Sequence, residues 1–310
     1  MKNVLLTTLL AAFSISSYAQ LTTHSWDFGG DTRQYKQYVP SIYTGNEPVA
    51  LVIALHGLGD NMNNFSQVGF HQVADTANII VVTPEALVDV LITGSTAWNS
   101  GAGVAGISLN AGVDDVGFIN ALIDTISAHY NIDQNRVFAT GFSMGGFMSN
   151  RLACELNNRI ASIASVAGSV GGTLVCNPGQ SIPVCHFHGT GDTQVGYGTA
   201  GGGVQNNNWG SNAPDWVSFW NTNNGCGTVT LEGQFPNLSG DGYSVEYVEY
   251  AGCTDDSRVV HYKVNNADHV WLFRPTNDIS YTLEIWRFFL GMSPDNLVPA
   301  SVTEPQIATI

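Results

Sequence analysis

Residues 136–148 read Arg136-Val137-Phe138-Ala139-Thr140-Gly141-Phe142-Ser143-Met144-Gly145-Gly146-Phe147-Met148. Val137–Thr140 is a short apolar run with β character, and from Met144 through Arg151, Leu152 and Ala153 the pattern is helical. Between them the chain must turn sharply at Phe142-Ser143-Met144. Side chains two residues before and two after the turn would clash, and glycine stands at both places, Gly141 and Gly145. A serine on such a turn stands clear of the strand at a helix N-terminus, where backbone N–H groups favour a developing negative charge.

Outward from this stretch, apolar strands alternate with longer helical segments. Residues 49–55 (Val-Ala-Leu-Val-Ile-Ala-Leu) are wholly apolar, as in a strand buried on both faces. His56-Gly57-Leu58-Gly59-Asp60 follows directly, and a second such strand, Ile79–Thr83, ends at Pro84. Further strands are expected at 23–28, 33–39, 160–166, 182–187, 243–250 and 257–264. Helices are expected at 116–130, 215–220 and 279–290. Residues 89–113 and 196–212 read as long loops, the first around Trp98-Asn99 and the second containing Gly201-Gly202-Gly203 and Asn206-Asn207-Asn208-Trp209. Asp114-Asp115 opens the 116–130 helix and reads as N-terminal capping rather than a metal site. The expected fold is α/β: a mostly parallel, doubly wound central sheet flanked by helices, with no separate binding domain.

Composition narrows the partners. Lys and Arg total 10 against 25 Asp and Glu, a net charge of −15, which argues against nucleic acid and anionic membranes. Residues 1–19 combine Lys2, an apolar run from Val4 to Ile15 and small residues at Ser17 and Ala19, the pattern of a secretory signal peptide. Residues 20–291 then form one domain and 292–310, with Pro294, Pro299 and Pro305, a flexible tail. The expected location is extracellular or periplasmic, as a monomer. In that setting Cys154, Cys176, Cys226 and Cys253 suggest disulfides, with three connectivities open. Cys185, in an apolar strand, is the expected free thiol. No pair of cysteines has Cys-x-x-Cys spacing, which argues against a zinc ribbon or a redox motif, and no metal site is expected.

Strand, Gly-x-Ser-x-Gly and helix in this order resemble the nucleophile elbow of α/β-hydrolases. That resemblance implies Ser143 as nucleophile, then an acid, then a histidine in chain order. Asp192 follows a late strand in His188-Gly189-Thr190-Gly191-Asp192 and is the expected acid, ahead of Asp215, Asp255, Asp256 and Asp268. His269, in a loop beyond the last strands, is the expected base, and His261, inside a strand, is read as structural. The oxyanion hole is expected at the backbone N–H groups of Leu58 and Met144, with His56 bracing that loop.

A closer resemblance joins these pieces. Leu55-His56-Gly57, Trp98-Asn99, Asp114–Phe118, Arg136–Gly146 with Arg151–Glu155, His188–Asp192, Asn224-Gly225-Cys226 and His269-Val270-Trp271 together resemble the secreted esterases comprising poly(3-hydroxybutyrate) depolymerases, feruloyl esterases and acetylxylan esterases. It covers about Arg33 to Gly291. It implies cofactor-free ester hydrolysis by Ser143, Asp192 and His269, and disulfides Cys226–Cys253 and Cys154–Cys176. The chain departs from that family in having Met144 after the serine and Ala267-Asp268 before the histidine. The expected substrates are feruloyl or acetyl esters of plant polysaccharide, with Trp98, Trp209 and Trp271 in the substrate site. The alternatives are a polyester depolymerase and, remotely, a carbohydrate-binding protein without catalysis.

Overall fold

The computed structural model describes residues 19–91, 93–104, 106–198 and 209–299. The expected signal peptide, the Gly- and Asn-rich segment before Trp209 and the end of the expected tail lie almost wholly outside them. The strands are β1 (Gln20–Phe28), β2 (Asp31–Val39), β3 (Val49–Leu55), β4 (Ile80–Pro84), β5 (Gly103–Val104), β6 (Ile107–Ser108), β7 (Ile132–Phe142), β8 (Ser162–Val166), β9 (Val184–Gly189), β10 (Thr228–Gln234), β11 (Ser244–Ala251), β12 (Val259–Asn265) and β13 (Val298–Pro299). The helices are α1 (Met62–Phe65), α2 (Phe70–Ala77), α3 (Asp115–His129), α4 (Met144–Glu155), α5 (Ala213–Asn224) and α6 (Tyr281–Phe289).

All but β5 and β6 join one sheet, in the order β1-β2-β4-β3-β7-β8-β9-β12-β11-β10-β13. The six strands from β4 to β12 in that order are mutually parallel. Both flanks are antiparallel. Burial follows this division. Every residue of β3, β4, β8 and β9 is buried, whereas β11 alternates between buried and half-buried positions.

Successive residues of β3 feed opposite cores. Leu51, Ile53 and Leu55 pack with Phe118 and Leu122 of α3, Met148 and Leu152 of α4, and Trp216 and Trp220 of α5. Ala50, Val52 and Ala54 pack with Val73 of α2 and Ile285, Phe288 and Phe289 of α6. Helices on both faces make the sheet doubly wound, and the architecture is that of an α/β-hydrolase.

Three features were not legible in the sequence. Strand β10 is mostly exposed and has no apolar run to announce it. Residues 292–299 do not simply trail away: Val298 and Pro299 pair with β10, and Ser293 donates to Glu249 at 2.7 Å. Asp114 and Asp115 have different roles. Asp114 caps α3 by accepting from the Gly117 amide at 2.8 Å. Asp115 is fully buried, ion-paired with Arg33 at 2.7 Å and accepting from the Asn99 amide at 2.7 Å, so the pair is not a joint cap.

Candidate active site

The site lies at the carboxyl ends of the parallel strands. Ser143 sits between β7 and α4 with φ +55°, a backbone region that non-glycine residues rarely occupy. Its amide donates to Val166 O of β8 at 2.8 Å, which pins the turn. A methyl on Gly145 would collide with the Leu55 carbonyl, and one on Gly141 with the backbone of Gly145. The sheet and the helix approach too closely for any side chain there, as the Gly-x-Ser-x-Gly spacing implies.

Asp192 and His269 come from loops after β9 and β12, which are adjacent parallel strands. The loops are joined directly: the Gly191 amide donates to Ala267 O at 2.9 Å, and the Thr193 amide to Asp268 Oδ1 at 3.1 Å. Asp268 therefore ties the two loops together and does not point at the site. His269 Nδ1 lies 2.7 Å from Asp192 Oδ2. Asp192 Oδ1 accepts from the amides of Gln194 and Val195 at 2.9 and 2.8 Å. Burial pushes the Asp192 carboxyl up, but hydrogen bonds from His188 and His269 outweigh it and hold the group well below the usual carboxylate range.

The loop after β3 is braced as the sequence suggested. His56 is buried; its Nε2 accepts from the Ala86 amide at 3.1 Å, so Nδ1 carries the hydrogen and donates to Gly57 O at 2.8 Å. Burial lowers its pKa, keeping the ring neutral in that tautomer. A trans peptide points its C=O and N–H in opposite directions. Holding the Gly57 carbonyl thus aims the Leu58 N–H away from His56. Gly57 itself lies against Ser143, since a methyl there would sit 3.4 Å from Ser143 Cβ.

Ser143, His269 and the Gly57-Leu58 loop share one cleft of about 380 Å³, within the range of small-ligand sites. It is lined by Gly57, Leu58, Asp60, Phe142, Ser143, Met144, Phe147, Gln194, Val195, Trp209 and His269. Sequence reasoning had not singled out Phe142, Phe147, Gln194 or Val195 as lining residues. They flank motif residues in sequence, and that adjacency was the available signal. No lysine or arginine is among the described lining residues.

Of the three tryptophans expected to meet substrate, Trp209 lines the cleft and two do not. Trp98 is completely buried; its Nε1 donates to His56 O at 2.9 Å and its ring packs on His56. It braces the loop from behind. Trp271 packs against Phe65, Phe70, Phe142 and Tyr281 and donates to Thr282 Oγ1 at 3.2 Å, so it supports the cleft wall from the side. The disulfides are Cys154–Cys176 and Cys226–Cys253, and Cys185 is free and buried. No group of three or more potential metal ligands occurs among the described residues.

A strained serine between strand and helix, opening onto the same cleft as a carboxylate-bound imidazole, places this chain among the α/β-hydrolases. More narrowly, it belongs to the Phospholipase/Carboxylesterase family, which matches residues 39–204, a little over half of the chain, and it is a carboxylic ester hydrolase. It is 29% identical over 283 residues to feruloyl esterase D of Neurospora crassa, covering 86% of this chain and 84% of that protein. The fold is shared with the acetyl xylan esterase of Aspergillus awamori, with TM-score 0.56, 15% identity and coverage of 82% and 96% of the two chains. It is also shared with a ferulic acid esterase of Anaeromyces mucronatus, with TM-score 0.54, 16% identity and coverage of 92% and 93%.

Proposed function

We propose that the protein is a secreted serine esterase of feruloyl or acetyl type, acting through Ser143, His269 and Asp192. The observation that carries this reading is the 2.7 Å bond from His269 Nδ1 to Asp192, with His269 and Ser143 lining one cleft. Asp192 fixes the His269 tautomer, leaving Nε2 bare to accept a proton. Ser143 Oγ attacks the ester carbonyl carbon as its proton passes to His269 Nε2. The resulting oxyanion is held by the Leu58 and Met144 amides. The intermediate collapses, and the departing alkoxide takes the proton from His269. Water, deprotonated by the same imidazole, then cleaves the acyl-enzyme and releases the acid.

The acyl group is inferred from the cleft walls. Phe142, Met144, Phe147, Val195 and Trp209 offer apolar and aromatic surface to an aromatic acyl group. Asp60 is the one carboxylate among the described lining residues, and it disfavours esters that already carry a negative charge nearby. The names of the N. crassa and A. mucronatus relatives point the same way. Secretion is supported by the two disulfides and the residue pattern before Gln20. No helix among the described residues is long and apolar enough to cross a membrane.

A second reading, hydrolysis of solid polyester, has one observation in its favour. Val88, Val90 and Leu91 are 49%, 81% and 91% exposed on a loop tied to the cleft rim, where Thr96 Oγ1 donates to Asp60 O at 2.6 Å. The test is product release from methyl ferulate and from an amorphous hydroxybutyrate film, with the Ser143→Ala variant as control. A preference for ferulate, abolished in the variant, fits the first reading. A preference for the film replaces it with the second. Equal rates for wild type and variant on both, and on short-chain esters, refute catalysis by Ser143.

A further inference from the structure

Three imidazoles lie behind the carboxylate, and the chemistry above uses none of them. His186 and His188 project from β9 and His261 from β12, and all three are buried. His188 Nε2 lies 2.7 Å from Val195 O and 3.4 Å from Asp192 Oδ2. Its Nδ1 lies 3.0 Å from His186 Nε2.

The hydrogen positions follow from the acceptors. A carbonyl oxygen cannot donate, so His188 Nε2 carries a hydrogen directed at Val195 O. In the neutral ring Nδ1 is then the acceptor, and His186 donates to it through Nε2–H. That order leaves His186 Nδ1 with a bare lone pair, and this atom is indeed buried with no hydrogen-bond partner in the structure. Burial pushes the His186 pKa well below its ordinary value, so its ring stays neutral. Rotation of the His186 ring is blocked by stacking on Trp216 at 4.7 Å and His261 at 5.6 Å. His261 is held in turn by Tyr197, whose hydroxyl is 3.0 Å from its Nε2.

We propose that His188 is a positioning residue for the catalytic acid: fixed as its Nε2–H tautomer by His186, it shares one hydrogen between Val195 O and Asp192 Oδ2 and keeps that oxygen turned towards His269. The proposal rests on the assignment of Ser143, Asp192 and His269. A three-centre bond of this kind has one short and one long arm, as seen here. Asp192 Oδ2 then serves two imidazoles, one mobile in its proton and one not. The clamp also closes a small ring, because the Val195 amide donates back to Asp192 Oδ1 at 2.8 Å. The acid and a wall of the substrate cleft therefore move as one unit.

The test uses His188→Leu, His188→Gln, His186→Leu and Ser143→Ala, with kcat and KM on methyl ferulate measured across pH. Loss of the donor in His188→Leu lowers kcat by roughly 10- to 100-fold, the scale of a hydrogen bond to a charged group. KM changes by less than about threefold, because the Val195 wall stays tied to Asp192 Oδ1 through its own amide. With one donor fewer, Asp192 holds protonated His269 more tightly, and the acid limb of kcat/KM moves up by about half a pH unit. In His188→Gln an amide N–H replaces Nε2–H, and both the rate and the limb return towards wild type. His186→Leu, which frees the tautomer, gives an intermediate loss.

A merely structural role lowers the yield of active enzyme, titrated with a fluorophosphonate, without moving the limb, and that outcome overturns the proposal. So does a His188→Gln enzyme as slow as His188→Leu. If His188→Leu does not fold, His186→Leu decides, since wild-type kinetics in that variant refute the tautomer lock. An active Ser143→Ala enzyme would instead sink the triad assignment, whereas an inactive one beside an unaffected His188→Leu sinks only the role of His188.

Discussion

Acidification should destabilise the protein well above the pH at which ordinary carboxylates titrate, and His261 provides the measurable part. Burial drives its pKa down to about 3, and His186 lies well below its usual value for the same reason. In the unfolded chain both rings titrate near 6.5. Below that pH the unfolded state binds protons that the folded state refuses. The stability is therefore complete above about pH 6.5 and is lost as pH falls towards the folded value near 3. At pH 5.5 the His261 ring costs about 1.4 kcal/mol relative to pH 7.5, and His186 adds to the loss in the same direction. Burial pushes the carboxyls of Glu85, Asp115 and Glu284 up, which works in the opposite sense, so a difference curve is read rather than one absolute slope. Urea unfolding of wild type and His261→Phe at pH 7.5, 6.5 and 5.5 gives that curve. Whatever offset the variant shows at pH 7.5, wild type should lose about 1.4 kcal/mol more than the variant by pH 5.5. Parallel curves would refute the claim that His261 is buried neutral.

The remaining predictions concern the frame of the site. Gly145→Ala should cost on the order of 4 kcal/mol or prevent folding, because its methyl meets the Leu55 carbonyl; expression yield and denaturant midpoint report it. Trp98→Phe removes the donor to His56 O and should cost about 1–2 kcal/mol in stability, with kcat falling more than KM rises as the Leu58 loop loosens. Arg33→Met strands the buried Asp115 carboxylate and should destabilise by roughly 3–5 kcal/mol at pH 7.5, partly regained in Arg33→Met with Asp115→Asn; calorimetry of the three proteins decides. Val90→Asp with Leu91→Asp should leave methyl ferulate turnover unchanged. It should lower release from a hydroxybutyrate film only if that loop meets solid substrate.

Local sequence determined the elbow, the buried parallel strands and the order of the candidate triad, because each rests on short-range constraints. A turn that excludes Cβ demands glycine at fixed spacing, and a strand covered on both faces must be apolar throughout, as β3 is. The position of Asp192 after one strand and His269 after another was legible for the same reason. Their meeting was not. It depends on β9 and β12 lying side by side although 69 residues separate Gly189 from Val259 in the chain, a matter of sheet order that no local pattern encodes. The tryptophans illustrate the limit from the other side. Trp98, Trp209 and Trp271 look alike in sequence, as large apolar residues in loops, and only packing decided which one faces the cleft. Asp114 and Asp115 were separated in the same way, since adjacent residues at a helix start point in different directions and one of them met a buried Arg33 82 residues away. The histidines behind Asp192 belong wholly to tertiary structure. His186 and His188 share a face of β9 by strand alternation, but only the turn that brings Val195 back over them gives His188 its acceptor.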